Sequence, residues 1–267
     1  MSTMFHYEFM RNAFAACTVV AIVTGAVGYF LVLRGQTFAG HALAHVGFPG
    51  ATGAGLLGLS PFFGLTVFTV LAGIGIGLLG ERAHRDVAIG IVLTFSLGLG
   101  LLFLHFYTAF ASQATNVLFG NVLGISLRTV IILAALSVVI LAALIFISRP
   151  LLFASLQPEL AEAKGINLDF VSTMFMIIVA VTTAEATQIV GVLLVFALMV
   201  APAATTLRLS RGILRGILLS IGLAVAIAWI SLWLAFETDW PTSFWITSLG
   251  AAAYLVAGII QRVKATH

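Results

Sequence analysis

The sequence predicts an all-α protein, a polytopic bundle of eight or nine transmembrane helices with one short helix on the cytoplasmic side. Hydrophobic residues make up 61% of the 267 residues and charged residues only 8%, whereas a soluble domain carries about 25% charge. The apolar runs reach the roughly 20 residues that a helix needs to cross a bilayer, and they are too long for barrel strands. This composition excludes a soluble globular protein and a disordered chain.

Eight apolar runs follow one another, and together they predict a single transmembrane domain over residues 1–267 that crosses its membrane many times. The sixth run is too long for one helix and is interrupted by Glu185, Thr187 and Gln188, so it is either two helices or one broken helix. The runs are Phe9–Leu33, Phe38–Leu59, Pro61–Leu79, Val87–Phe110, Ser126–Ile147, Val171–Leu207, Ile213–Phe236 and Phe244–Ile260.

Basic residues gather in alternate loops, and this placement orients the bundle. Arg149 and Lys164 flank the polar stretch after the fifth run, and Arg208, Arg211 and Arg215 lie around the start of the seventh. When these loops face the cytoplasm, the remaining loops alternate consistently if the sixth run crosses twice. The C-terminus is then inside, and a count of nine spans places the N-terminus outside.

Glycines spaced four residues apart indicate close helix packing. The chain has 26 glycines, and Gly73 and Gly77 in the third run are one such pair. In lipid, small residues let two helix backbones approach each other. We therefore expect this pair to serve packing.

Several functions are excluded by what the sequence lacks. It contains no G-x-x-x-x-G-K-[ST] phosphate-binding loop, and its only lysines are Lys164 and Lys264. The sequence also lacks an evident nucleophile–base pair, which would indicate an enzyme. It lacks a basic patch interleaved with aromatic residues, which would indicate a nucleic-acid partner. We expect no permanently bound cofactor. Because the chain is almost entirely membrane-embedded, any energy source or capture domain must be another polypeptide.

The polar stretch after the fifth run predicts a short amphipathic helix over about 155–165. Pro158 suits a first helical turn, Glu159 and Glu162 lie near the N-terminal end where the helix dipole favours acids, and Gly165 suits a left-handed C-terminal cap. Such a helix is either a docking element for a cytoplasmic partner or a solvated interfacial segment.

His41 and His45 are candidate metal ligands in the second run. Four residues apart, they lie on one face of a helix, between the small residues Gly40, Ala42 and Ala44. Two neutral imidazoles at this spacing can bind one divalent metal ion. Alternatively, buried histidines in membranes form hydrogen bonds to a neighbouring helix.

His105 and Glu185 are the other ionisable groups inside the runs. Ionisable residues within a membrane are candidates for function. Either residue could complete a metal shell or relay a proton, and either could instead lie near a helix end that faces water.

Three stretches resemble one known family. Residues 32–45 (VLRGQTFAGHALAH) resemble its R-x-x-x-x-G-D-A-L-x-H segment, residues 156–165 (LQPELAEAKG) its cytoplasmic coupling helix, and residues 190–205 (VGVLLVFALMVAPAAT) its V-G-x-L-L-x-x-A-L-L-x-x-P-A-A-T helix. With smaller matches, the resemblance runs from about residue 30 to 245. By these motifs the chain is similar to the zinc/manganese/iron permease group of ABC importers.

The resemblance implies a homodimeric core in the cell membrane of a prokaryote, with two cytoplasmic ATPase subunits below it. It implies an extracytoplasmic metal-binding protein that delivers the ion, and a contact between the ATPase and Glu159, Glu162 and Gly165. The chain itself is then a transport subunit, not an enzyme.

One position departs from the family pattern, since His41 stands where the family usually has Asp. Imidazole suits zinc, copper, nickel or iron, whereas carboxylate oxygen suits manganese, so the departure favours zinc and leaves manganese or iron as alternatives. The competing hypotheses are a stand-alone ion-coupled carrier or channel that uses Glu185 and His105 as a proton relay, and a family relative that moves a non-metal or chelated cargo.

Overall fold

The structure is a computed structural model that describes residues 4–79, 85–106, 120, 122–210 and 212–265. Within these residues the regular structure is entirely helical, with short 3₁₀ helices at Met4–His6 and Val122–Gly124 and ten α-helices. The α-helices are α1 (Glu8–Leu33), α2 (Thr37–Leu56), α3 (Pro61–Leu78), α4 (Arg85–Phe106), α5 (Leu127–Leu156), α6 (Pro158–Ala163), α7 (Leu168–Val190), α8 (Val192–Leu209), α9 (Ile213–Thr238) and α10 (Thr242–Ala265).

The predicted polytopic helical bundle is confirmed. Among the described residues, seven helices are long and apolar enough to cross a membrane: α1, α3, α4, α5, α7, α9 and α10. The less apolar α2 and the shorter α8 pack into the same bundle, so the described part of the chain has nine helices of roughly spanning length. The end of the predicted fourth run (107–110) and residue 211 lie outside the described residues.

The long sixth run forms two helices that meet at Gly191. The backbone there has φ 82° and ψ 160°, a conformation that glycine adopts without steric cost and other residues do not. The break ends α7 at Val190 and starts α8 at Val192. The polar residues Glu185, Thr187 and Gln188 lie inside α7, so they do not themselves interrupt the helix.

Helix α5 continues nine residues beyond the Ile147 end predicted for the fifth run, to Leu156. It passes through Pro150, which removes one backbone hydrogen bond. Leu151 and Ala154 are buried in the core beyond the proline, and their burial favours continuing the helix over a loop.

Two helices form the centre of the bundle. α1 packs against α5, α7, α8 and α9, and α7 packs against α3 and α5. Among the candidate spans, the apolar segments of α1 and α7 are the most buried inside the protein, and those of α4 and α10 are the least buried. The outer helices therefore turn apolar faces away from the protein core, as expected for lipid contact.

Small residues allow the closest helix contacts. A Cβ added at Gly28 of α1 would overlap the backbone carbonyl of Met199 in α8, and one added at Gly77 of α3 would overlap the Thr173 backbone in α7. Gly73 likewise lies against Met176. The packing expected for the Gly73 and Gly77 pair is confirmed.

Contacts between helix ends show which termini share one end of the bundle. The Arg34 guanidinium, just after α1, donates to the Ser155 hydroxyl near the end of α5. Gly216, near the start of α9, packs on the Tyr29 ring near the end of α1. Helix α6 directly follows α5. We call the end of the bundle where α1 and α5 end and α9 begins the α6 end. The positive-inside rule assigns it to the cytoplasm, and α1 begins at the opposite end.

The α1–α8 contact makes a stability prediction. Gly28→Ala should lower the free energy of unfolding by about 1–3 kcal/mol, because the new methyl group overlaps the Met199 carbonyl and forces the helices apart. Gly75→Ala is the matched control, since a Cβ at Gly75 meets nothing within 4 Å. Thermal denaturation in detergent measures both variants; equal stability of the two would contradict the inferred contact.

Candidate metal site

Helix α2 carries both candidate ligands on one face. The ring centroids of His41 and His45 lie 4.7 Å apart, with an angle of 74° between the planes. Both side chains are partly exposed, while Ala42 and Ala44 are buried. Two imidazoles placed side by side in this way can each present one nitrogen to the same ion, as the sequence spacing predicts.

Helix α8 supplies the neighbour of His41. The Phe196 ring lies 4.9 Å from the His41 ring, at 71°. The Nδ1 atom of His41 is buried and has no hydrogen-bond partner among the described residues, although buried polar atoms nearly always have one. In the described part of the chain, no hydrogen bond joins His41 to a neighbouring helix. The alternative that this histidine serves only to bond another helix therefore receives no support.

The pair lies in the half of α2 that is nearer the α6 end. α2 begins at Thr37, directly after the α1–α2 turn at that end. At about 1.5 Å per residue, His41 stands roughly 6 Å and His45 roughly 12 Å along the helix axis. An ion between them would lie inside the bundle, nearer the α6 end than the opposite end.

Among the residues that the structure describes, no third His, Cys, Asp or Glu joins the histidine pair. Across the described ranges there is no group of three or more His, Cys, Asp or Glu residues that could hold a metal ion. Two protein ligands with water in the remaining positions bind a divalent ion more weakly than a closed four-ligand site. Weak binding is the property that a site for a passing ion requires.

Glu185 is buried elsewhere in the bundle. Its side chain is 1% exposed, and the Ser137 hydroxyl of α5 donates a hydrogen bond to its Oε1 atom. Its Oε2 atom has no partner among the described residues. Glu185 therefore links α7 to α5. Sequence analysis missed Ser137, because a serine in an apolar run carries no signal of its partner.

His105 is exposed in the last turn of α4, with its ring 5.5 Å from the Phe106 ring. It joins no group of metal-binding residues in the described part of the chain. Its role in the transport path stays a prediction from the sequence.

Helix α6 forms with the predicted end signals and is shorter than the predicted 155–165. Gln157 occupies the N-cap position without a side-chain hydrogen bond to the helix, Pro158 occupies its first turn, and Gly165 follows with φ 80°. Glu159 and Glu162 are exposed, while Ala161 is fully buried beneath them. The helix thus presents acidic side chains outward from a fixed base at the α6 end.

Leucines add an apolar part to that surface. Leu156 is 58% exposed and Leu160 is 49% exposed. A surface with two carboxylates and two exposed leucines fits a protein partner better than water alone.

Comparisons with known proteins agree along nearly the whole chain. The model of the ABC 3 transport family matches residues 6–261. The Manganese transport system membrane protein MntC of Listeria monocytogenes is 30% identical over 209 residues, 78% of this chain and 74% of that protein. A Probable iron transport system membrane protein of Haemophilus influenzae is 30% identical over 261 residues, 97% of this chain and 96% of that protein.

A solved structure has the same fold. PsaBC from Streptococcus pneumoniae in complex with Fab is similar with a TM-score of 0.85 and 28% sequence identity, covering 96% of this chain and 93% of that one.

The Ser137–Glu185 hydrogen bond makes a prediction about coupling between α5 and α7. Ser137→Ala should lower the free energy of unfolding by about 1–2 kcal/mol, because it leaves the buried carboxyl without its donor. In a Glu185→Leu background the same change should cost much less, since no polar partner remains. A double-mutant cycle of unfolding in detergent measures the difference, and additive effects would contradict the inferred pairing.

Proposed function

The chain belongs to the ABC 3 transport family, and from that membership we propose that it is the membrane-spanning permease subunit of an ATP-driven importer of divalent metal ions. The observation that carries the proposal is the His41–His45 pair, two imidazoles side by side inside a transmembrane bundle. Ionisable groups in such a position are costly and mark the path of an ion or substrate. The buried, unpartnered Nδ1 of His41 supports the same assignment.

The proposed cargo is a first-row divalent transition metal, with zinc favoured. The donor set consists of two imidazoles, which suit zinc and also iron, whereas manganese prefers carboxylate oxygen. Relatives named for manganese and for iron transport keep those two ions as alternatives. The ion is cargo and is held only in passing.

ATP hydrolysis is proposed to occur on a separate cytoplasmic subunit. The sequence has no phosphate-binding loop, and α6 offers an exposed acidic and apolar surface at the end assigned to the cytoplasm. We place the ATPase contact at Glu159, Glu162 and Gly165. Closure of the ATPase pair would move α6 and thereby open or close the path around His41 and His45.

Two further partners complete the proposed importer. A second copy of the chain would pair with the first, and the little-buried apolar faces of α4 and α10 support such a contact as well as contact with lipid. An extracytoplasmic metal-binding protein would deliver the ion at the end opposite α6. The chain itself carries no large hydrophilic domain that could capture the metal.

Transport measurements test the proposal. In proteoliposomes that contain the permease and its ATPase, His41→Ala and His45→Ala should each lower ATP-dependent zinc uptake by at least about tenfold, the loss found already when only a ligand's hydrogen-bond partner is removed. His6→Ala is the matched control, because His6 is exposed outside the spans. Metal uptake by the permease without an ATPase would instead support the stand-alone carrier.

The same assay tests the choice of metal. His41→Asp should raise manganese uptake relative to zinc, since it replaces an imidazole by a carboxylate. An unchanged preference between the two metals would show that the pair does not select the cargo.

A further inference from the structure

A cavity of about 1060 Å³ opens between the ends of α8, α9 and α10, and neither candidate metal ligand lines it. Its lining combines two arginines, Arg208 and Arg215, with apolar side chains that include Leu209, Ile213 and Leu214. No carboxylate is among the residues that the structure describes in this lining. The cavity is therefore positively charged on one part of its wall and apolar on another.

The cavity lies at the α6 end of the bundle, where α9 begins and where α8 and α10 end. The positive-inside rule assigns this end to the cytoplasm. Helices leave the hydrocarbon there, so a cavity between them meets both the headgroups and the acyl chains of the inner leaflet. A divalent metal ion would be repelled by the two arginines, and the cavity is therefore unsuited to release the proposed cargo.

Arg208 is held in place before any ligand binds. Its guanidinium carbon lies 4.0 Å from the centre of the Tyr254 ring, and its Nη2 atom donates a hydrogen bond to the Tyr254 hydroxyl. A Cβ at Gly258 would lie 2.8 Å from its Nη1 atom, so the side chain rests closely on α10. The planar fork has five N–H donors and matches the geometry of a phosphate.

We propose that this cavity binds an anionic glycerophospholipid of the inner leaflet, with its phosphate at Arg208 and Arg215 and its acyl chains along the apolar lining. Charge complementarity selects the headgroup, and the apolar wall selects a lipid over a free anion. Basic pockets between helices on the cytoplasmic side are suited to anionic headgroups.

Lipid titration of the purified full chain tests the proposal. After delipidation in detergent, phosphatidylglycerol should bind and raise the melting temperature, whereas phosphatidylcholine with the same acyl chains and inorganic phosphate should bind far more weakly. Arg208→Gln with Arg215→Gln should weaken phosphatidylglycerol binding about 25-fold, since each arginine near anionic lipid contributes about fivefold. Arg128→Gln, an exposed arginine at the opposite end, is the matched control and should retain wild-type binding.

Three results would overturn it. Equal binding of the two phospholipids would show that charge does not select the ligand. Full competition by inorganic phosphate would identify a free-anion site. Loss of self-association in the double variant, with lipid binding unchanged, would identify the cavity as an interface between copies of the chain.

A second, independent inference concerns Arg34, because its guanidinium contacts residues of three elements at the α6 end. Its Nε donates to Oε1 of Gln36, the residue before α2, at 3.2 Å. Its Nη1 donates to the hydroxyl of Ser155 near the end of α5, also at 3.2 Å. Its guanidinium carbon lies 5.8 Å from the centre of the Phe175 ring in α7.

These contacts connect α6 with the histidine helix. α6 begins three residues after Ser155 and packs against both α5 and α7, the two helices that Arg34 touches. On the other side, Gln36 is the residue directly before α2, and His41 follows five residues later. Arg34 therefore offers a direct side-chain connection through which a displacement of α6 can reach the start of α2.

We infer, on the basis of the proposed function, that Arg34 is a positioning residue that transmits movement of α6 to the His41–His45 pair. A guanidinium can hold Gln36 and Ser155 at once because its donors form a fixed fork; an ammonium is a point charge and cannot reproduce this geometry.

The readout is metal transported per ATP hydrolysed by the complete complex in proteoliposomes. Arg34→Gln should lower this ratio about tenfold, a loss within the range reported for coupling residues, while ATP hydrolysis and metal binding persist. Ser155→Ala should give a smaller loss, and Arg34→Lys should restore only part of it. Added to Arg34→Gln, Ser155→Ala should have little further effect.

Transport by the wild-type complex distinguishes failure of the proposed function from failure of the role of Arg34. Absence of ATP-dependent metal uptake by the wild-type complex would reject the proposed function itself. If the wild-type complex transports metal, an unchanged ratio of metal to ATP in Arg34→Gln and in Ser155→Ala would reject only the role of Arg34. An equal loss of ATP hydrolysis and of metal transport in these variants would do the same.

Discussion

The backbone contact between α1 and α8 is the interaction on which the arrangement of the site depends. Gly28 lies so close to the Met199 carbonyl that no other residue fits there without movement. In a bilayer, two helices gain little free energy by moving apolar surface from lipid into a helix contact. Close packing at small residues therefore decides which helices meet. This contact fixes α8 beside α1, and Phe196 of α8 in turn packs on the His41 ring.

Glu185 and the histidine pair lie in two different environments inside the bundle. Glu185 is almost fully buried and tied to Ser137 across α5 and α7, which suits a structural link between helices. His41 and His45 are partly exposed, and no third conventional ligand joins them in the described residues. A pair of ligands with an accessible face suits an ion that must bind and then leave, because a closed shell would hold it too tightly.

Three polar features lie at the α6 end, the end that the positive-inside rule assigns to the cytoplasm. The acidic and apolar surface of α6, the Arg34 contacts and the arginine-lined cavity all lie there. Their charges differ, and so do the partners that they suit: a protein surface for α6 and an anionic headgroup for Arg208 and Arg215. A chain with only 8% charged residues thus places three of its charged features at one end of the bundle.

The sequence by itself determined the helical class, most span limits, the end signals of α6 and the shared face of His41 and His45. These features are local, since they follow from apolar run length, proline and glycine positions and helical periodicity. Only the tertiary structure decided that Gly191 and not Glu185 breaks the sixth run, that Ser137 bonds Glu185, and that Phe196 packs on His41. It also decided the partners of Arg34. Such contacts join residues far apart in the chain, and a sequence records each residue's type but not the helix that will lie against it.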